Sequence, residues 1–251
     1  VTGDLWPRNL KAAYKCFHAL LKARGKRFAL DLDMPEQSIV IAPDGTIERV
    51  EKRERNDAHR MIEEMMVVAN VAAAKALESK KAPCLYRVHP SPTAEKLDGL
   101  NAILKQHNLS LNKISNIKPN HLAELVEQIK GQPQETQLMQ SVLRAQQQAI
   151  YTPENKGHFG LALDYYAHFT SPIRRYSDLV VHRSLIKAFN MPDTGALQIP
   201  AKKFNDLAEH ICVTERRSQR AEWDAKDRLV ARYYSGKIGE SYMATVISVH
   251  K

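Results

Sequence analysis

From Asn56 to Leu77 an apolar stripe runs through Ile62, Met65, Met66, Ala69, Ala73, Ala76 and Leu77. Only a helix brings those positions onto one stripe, because side chains three and four apart share a face and those two apart do not. The spacing predicts a helix over 57–79. Asn56 or Asp57 caps it by accepting from free N–H groups of the first turn, and Pro83 closes the region. A buried stripe needs partners, and further helical patterns supply them. Leu10, Ala13, Tyr14, Phe17, Leu20 and Leu21 repeat the spacing over 7–24, with Pro7 in the first turn and Gly25 as C-cap. Three or four helices fill 92–150, broken at Lys118-Pro119 and Gly131–Pro133, and a long mixed-charge helix spans 201–234. Strand patterning is scarcer. Phe28–Leu32 alternates, Ile39-Val40-Ile41 follows, and Pro43-Asp44-Gly45 turns into Thr46–Val50. Gly160–Tyr166 reads as a buried strand, and Ser171–Phe189 as a helix with Ser171 as N-cap and Pro172 at the first helical position. The expected class is α+β and helix-rich. Tyr242–Val249 alternates with no partner strand before Lys251, and a lone strand is unstable, so it is expected to open a further β-domain.

A chain of 251 residues buries enough core to need no disulfide. Its three cysteines, Cys16, Cys84 and Cys212, form no CxxC or zinc spacing, which fits a reducing, cytoplasmic setting. No apolar run reaches membrane-spanning length. Thirty-seven Lys and Arg against 28 Asp and Glu give a net charge of +9, which favours a polyanionic partner but also suits an ordinary basic protein.

Chemistry concentrates in the run Tyr165–Arg183. If a helix opens at Ser171, its free N–H groups and positive dipole end attract an anion. Arg174 and Arg175 in that first turn oppose the dipole, so a negative ligand would offset them. Asp178 stands four residues from Arg174 and three from Arg175 and can orient one guanidinium; His182 continues the face. Tyr165, Tyr166, His168 and Phe169 supply rings suited to base or ribose stacking. The same run also reads as a plain amphipathic helix, with Ile173, Tyr176, Leu179, Val180, Leu185 and Ile186 inward and a solvated charged face.

Gly157-His158-Phe159-Gly160-Leu161-Ala162-Leu163, followed by His168–Arg183, resembles the signature of the RNB-domain exoribonucleases, the ribonuclease II and ribonuclease R family. Arg55–Glu64 with Ala69-Asn70, Ala29–Pro35, Glu215–Asp227 and Gly236–Val249 are similar to further segments of that family, so the resemblance covers almost the whole chain. Its longest string, His168–Tyr176, is highly specific; Ser218–Trp223 matches only loosely. The Arg174-Arg175 form and the Asn155–Phe159 loop lean towards the ribonuclease R subtype.

The resemblance implies a processive 3′-to-5′ hydrolytic exoribonuclease that degrades single-stranded RNA to nucleoside 5′-monophosphates. It implies the C-terminal part of the catalytic domain over 1–235 and the start of an OB-type RNA-binding domain over 236–251. The alternative is a catalytically inert RNA-binding fragment or homologue. The family binds two Mg²⁺ ions through a DxxDxDD aspartate cluster that this sequence lacks, so the ligands are expected upstream and none within the chain. Asp31-Leu32-Asp33 could share a strand face, but aligns with a structural strand. Arg174 matches the family's catalytic-site arginine, a clamp for the scissile phosphate. Glu63 and Glu64 cannot share a helical face. Glu64 is expected to point to solvent, while Glu63, at the stripe's edge with His59 and Asn70, is expected to reach a ribose hydroxyl. Glu222 is expected near the 3′-terminal nucleotide. Tyr165, Tyr166, His168, Ser171, Arg175, His158 and Asn70 complete the expected RNA contacts. The partner is single-stranded RNA, with no membrane, and the protein is expected to be a monomer.

Overall fold

The computed structural model describes residues 9–32, 36–53, 55–111, 114–192 and 195–243. The chain divides into two compact units, 1–32 with 55–212 and 33–54 with 213–251.

The first unit is built on α1 (Lys11–Lys26) and α2 (Asp57–Ser79). Helix α2 keeps the bounds that its apolar period predicts. Asn56 accepts from the backbone N–H of His59 at 3.2 Å, and His59 Nδ1 accepts from the Asn56 N–H at 3.3 Å. Strand β3 (Tyr86–Val88) pairs antiparallel with β4 (Ile150–Thr152). Helices α3 (Ala94–Lys105), α4 (Pro119–Ile129) and α5 (Glu135–Ala145) lie between those strands in sequence. Pro119 opens α4 because the first helical turn has no use for its missing N–H, and Gly131, at φ +76°, turns the chain towards α5. These three helices bury Leu97, Leu104, Leu122, Ile129 and Leu138.

Two apolar clusters carry α6 (Tyr176–Ala188) and the start of α7 (Phe204–Ser235). Ala73, Ala74 and Leu77 of α2 meet Val88, Ala167 and Val181. Leu85, Tyr151 and Val180 meet Phe204, Ala208 and Ile211. Helix α6 is thus held on both sides, which fixes the loop that precedes it.

The structure corrects four local expectations. Helix α1 runs through Gly25 to Lys26, and Phe28, at φ +58°, reverses the chain. Residues 29–32 form no strand; the Leu30 N–H donates to Gly160 at 2.8 Å. Gly160–Tyr166 forms no strand either, because a 3₁₀ turn over Phe159–Leu161 ends at Ala162 in the left-handed region. Ser171 is not an N-cap: 171–175 form a turn in which the Arg174 and Arg175 N–H groups donate to Ser171 O at 3.2 and 3.1 Å, and α6 begins only at Tyr176. Pro7 lies outside the described residues.

In the second unit, β1 (Glu36–Ile41) and β2 (Ile47–Arg53) form an antiparallel hairpin with Ile39 opposite Val50. Its turn is the Pro43-Asp44-Gly45 of the sequence reading. Asp44 accepts from Thr46 N–H and Oγ1 at 2.9 and 2.7 Å, and Gly45 sits at φ +82°. The rest of α7 completes the unit. Asp33 and most of the strand expected over Tyr242–Val249 lie outside the described residues.

Candidate functional site

The loop Ala167–Arg175 leads into α6, and three buried or half-buried polar groups dictate its path. Asn70 of α2, 3% exposed, accepts from the backbone N–H groups of Phe169 at 2.9 Å and Thr170 at 3.2 Å, and donates to the Tyr166 hydroxyl at 3.1 Å. Asp178 of α6 is wholly buried. It accepts from the Ser171 N–H at 2.8 Å, from Arg175 Nε and Nη2 at 2.9 and 2.8 Å, and from the Ser177 hydroxyl at 3.0 Å. Burial alone would push the Asp178 carboxyl up. The Arg175 fork, the Ser171 N–H and Ser177 outweigh it and hold the group below the usual carboxylate range. His182 binds the Phe169 carbonyl at 2.9 Å and stacks on the Phe169 ring at 4.2 Å between centroids. A loop pinned at Phe169, Thr170, Ser171 and Arg175 has little freedom at its tip.

The tip is what these anchors present. Pro172, Ile173 and Arg174 are exposed, Ile173 at 99%. The Arg174 side chain makes no hydrogen bond or ion pair among the described residues. Its neighbour Arg175 is consumed by a buried carboxylate. Asp178 therefore orients Arg175 and leaves Arg174 free, so the two arginines have separate tasks. A free guanidinium on a rigid loop is a preorganised donor for an oxyanion.

Behind the loop lies a ring cluster. His168 Nδ1 and the Tyr151 hydroxyl are 2.7 Å apart, and Arg87 lies 4.5 Å over the Tyr151 ring. His158 packs against His89 and Tyr166. His89 Nδ1 accepts from the Gly160 N–H at 2.9 Å, and a Cβ on Gly160 would stand 2.8 Å from that nitrogen, so any other residue there would force the His89 ring to shift. Burial, with Arg175 and Arg87 nearby, pushes His168 down to about 3; burial, with His89 and Arg87, does the same to His158. Both imidazoles are neutral in the folded protein, and His168 Nδ1 shares a hydrogen bond with the Tyr151 hydroxyl. The unfolded chain takes up a proton at each histidine near pH 6.5. Their contribution is therefore complete above about pH 6.5 and falls as pH drops towards 3, by about 1.4 kcal/mol per unit for each histidine. The expected result is a melting temperature that declines between pH 6.5 and 5, with a shallower decline in His158→Asn; calorimetry across that range checks it.

The sequence-derived residues thus fall into distinct settings. Asn70, Tyr166, His158, His168 and Arg175, expected against RNA, each make hydrogen bonds within the protein and help to build the loop's support. Ser171 gives its N–H to Asp178. Tyr165 is half-buried on the apolar cluster, with Lys75 6.0 Å over its ring. Glu63 pairs with Arg55, whose Nη1 also lies 3.5 Å from Asp31. Glu64, expected in solvent, is 3% exposed and receives Arg24 Nη1 at 2.6 Å. The C-terminal turn of α1 covers that side of α2, which the period of α2 alone does not reveal. Glu222 belongs to the second unit, exposed and paired with Lys226 at 2.6 Å. Sequence reasoning missed Arg87 and Tyr151, for which no motif gave a signal. Among the described residues no three His, Cys, Asp or Glu side chains are placed to hold a metal ion, and Asp31 faces two arginines instead.

A helix-rich α+β scaffold that stakes a free arginine on an HFTSPIRRY loop defines a class, and the match to the RNB domain over residues 5–190 places this chain in it: the chain belongs to the RNB-domain family. It is similar to ribonuclease R of Escherichia coli, 35% identical over 250 residues, which cover 96% of this chain and 31% of that protein. Ribonuclease R of Aquifex aeolicus is 37% identical over 233 residues, covering 93% and 33%. The fold matches that of Mycoplasma genitalium RNase R, solved in its apo form (TM-score 0.84, 30% identity, 92% of this chain and 37% of that one) and in complex with double-stranded RNA (TM-score 0.87, 29%, 95% and 43%). The same enzyme has been solved with ribose-methylated single-stranded RNA. The chain spans about a third of the length of the curated relatives it matches. Among the described residues no helix is long and apolar enough to cross a membrane.

Proposed function

We propose that this chain is the RNA-gripping, phosphate-clamping part of a processive 3′-to-5′ exoribonuclease that hydrolyses single-stranded RNA to nucleoside 5′-monophosphates. The observation that carries the reading is the free Arg174 beside the buried Arg175–Asp178 pair. Arg174 meets the scissile phosphate and stabilises the charge that grows on it during attack. Glu63, on the exposed edge of α2, meets a ribose hydroxyl, sharing its carboxylate with Arg55. Glu222 serves the 3′-terminal nucleotide.

The Mg²⁺ ions that such hydrolysis uses supply a polarised phosphate and an activated water. The side chains described here do not fit that task, and their ligands are assigned to the upstream part of the protein. That absence of a ligand cluster favours a second reading, an RNA-binding module without chemistry of its own. The unpaired Cys16, Cys84 and Cys212 support a reducing, cytoplasmic setting, and the protein is taken to act as a monomer.

A grip built on phosphates releases counterions, so the logarithm of the RNA binding constant should fall linearly with log salt, with a slope of about −0.7 for each single-strand phosphate neutralised. Fluorescence anisotropy with a labelled single-stranded oligoribonucleotide over a salt series checks this. Affinity that ignores salt would contradict the phosphate grip.

A further inference from the structure

We propose a second nucleobase-binding site in the other unit, a stacking pocket on the indole of Trp223. Trp223 lies on α7 and is 58% exposed, although an indole is among the side chains that gain most from leaving water. The surrounding stretch, residues 216–228, is exposed on every side of the helix, so no core claims the ring. What does meet it is the β1–β2 hairpin of the same unit. Ile39, Trp223, Lys226, Asp227 and Val230 line a half-open pocket of ≈ 310 Å³, at the small end of ligand sites and with the volume for one flat ring.

The chemistry of the walls selects the occupant. The indole offers a π-face and Ile39 and Val230 offer apolar edges, which suits a planar aromatic group. Asp227 is a pure acceptor and can take the exocyclic amino group of a base. Arg220 and Arg216 lie one and two turns before Trp223 on its side of the helix, and neither has an ion pair among the described residues. From Val213 to Ser235 the helix carries six basic against four acidic residues. An aromatic ring followed by negative charge is what this surface complements: a base of single-stranded RNA with its phosphates along α7. The indole lies within the stretch where the family resemblance is loosest, so the resemblance does not supply this site. The proposal rests on the reading of the chain as a binder of single-stranded RNA.

Stacking of one base on an aromatic side chain changes affinity by about tenfold. The test uses the 251-residue chain with Trp6→Phe, so that Trp223 is the single indole, and a labelled single-stranded oligoadenylate. The expected result is saturable quenching of the Trp223 emission over the concentrations at which anisotropy of the RNA rises. Trp223→Ala weakens binding about tenfold, and Trp223→Phe recovers most of it. If RNA binds Trp223→Ala as tightly as the parent and the emission is unmoved, the site is overturned while the RNA-binding reading stands; a protein surface is then what covers the indole. If no RNA binds at any concentration, both fall.

Discussion

Replacing Asp178 by alanine is expected to cost about 3–5 kcal/mol of stability. The carboxylate has no exposed surface, and it holds a guanidinium by two hydrogen bonds, one loop N–H and one hydroxyl. Removing it leaves Arg175 and the Ser171 N–H without their acceptor inside the protein, so the penalty is that of stranded groups rather than the net value of the pair. Asp178→Asn keeps the shape and one acceptor but loses the charge and should fall between. Arg175→Ala strands the opposite charge, so the two alanine substitutions made together should cost clearly less than their sum. Denaturant unfolding of the two single variants and the double variant measures this. Losses that simply add would show that Arg175 and Asp178 do not act as a unit.

Replacing Arg174 by alanine should leave stability nearly unchanged and reduce turnover of the whole enzyme by about 100- to 1,000-fold, the range for loss of one preorganised donor to a developing negative charge. The Arg174 side chain is exposed, has no hydrogen-bond or ion-pair partner among the described residues and sits on a loop fixed by others, so the fold does not depend on its guanidinium. RNA affinity should change only a few fold, since the phosphate is one contact among many. Arg174→Lys should recover little, because an ammonium cannot reproduce the two-pronged guanidinium fork. Single-turnover cleavage rates alongside RNA dissociation constants separate the two effects. A fall in affinity as large as the fall in turnover would make Arg174 a general phosphate anchor.

These contrasting roles for adjacent arginines mark the limit of what the sequence discloses. The helical period fixed α2 to its ends because Asn56 supplies a local cap and the stripe is continuous. Pro43-Asp44-Gly45 and Lys118-Pro119 were legible for the same reason, since turn and first-turn chemistry lies within a few residues. Ser171-Pro172 carries an equally clear local signal for a helix start, yet the helix begins later. Asp178, seven residues on, captures the Ser171 N–H and draws 171–175 into a turn. Glu64 failed likewise: periodicity gives its direction on α2, whereas its burial depends on Arg24 of another helix, forty residues away. The aromatic run Tyr165–Phe169 was readable as a ring cluster but not as an internal one. Its partners, Asn70, Tyr151 and His182, come from three different elements. In each case the local chemistry was present in the sequence, and a distant side chain decided its use.

The measurement that bears most directly on the account is cleavage of a 5′-labelled single-stranded RNA by the 251-residue chain in Mg²⁺, with and without EDTA, alongside anisotropy binding of the same RNA. If the grip and phosphate clamp are here and the metal ligands upstream, as proposed, binding is salt-sensitive and no shortened products form in either condition. A ladder of shortened products that EDTA abolishes would contradict that assignment, and would mean that carboxylates of this chain hold the metal themselves.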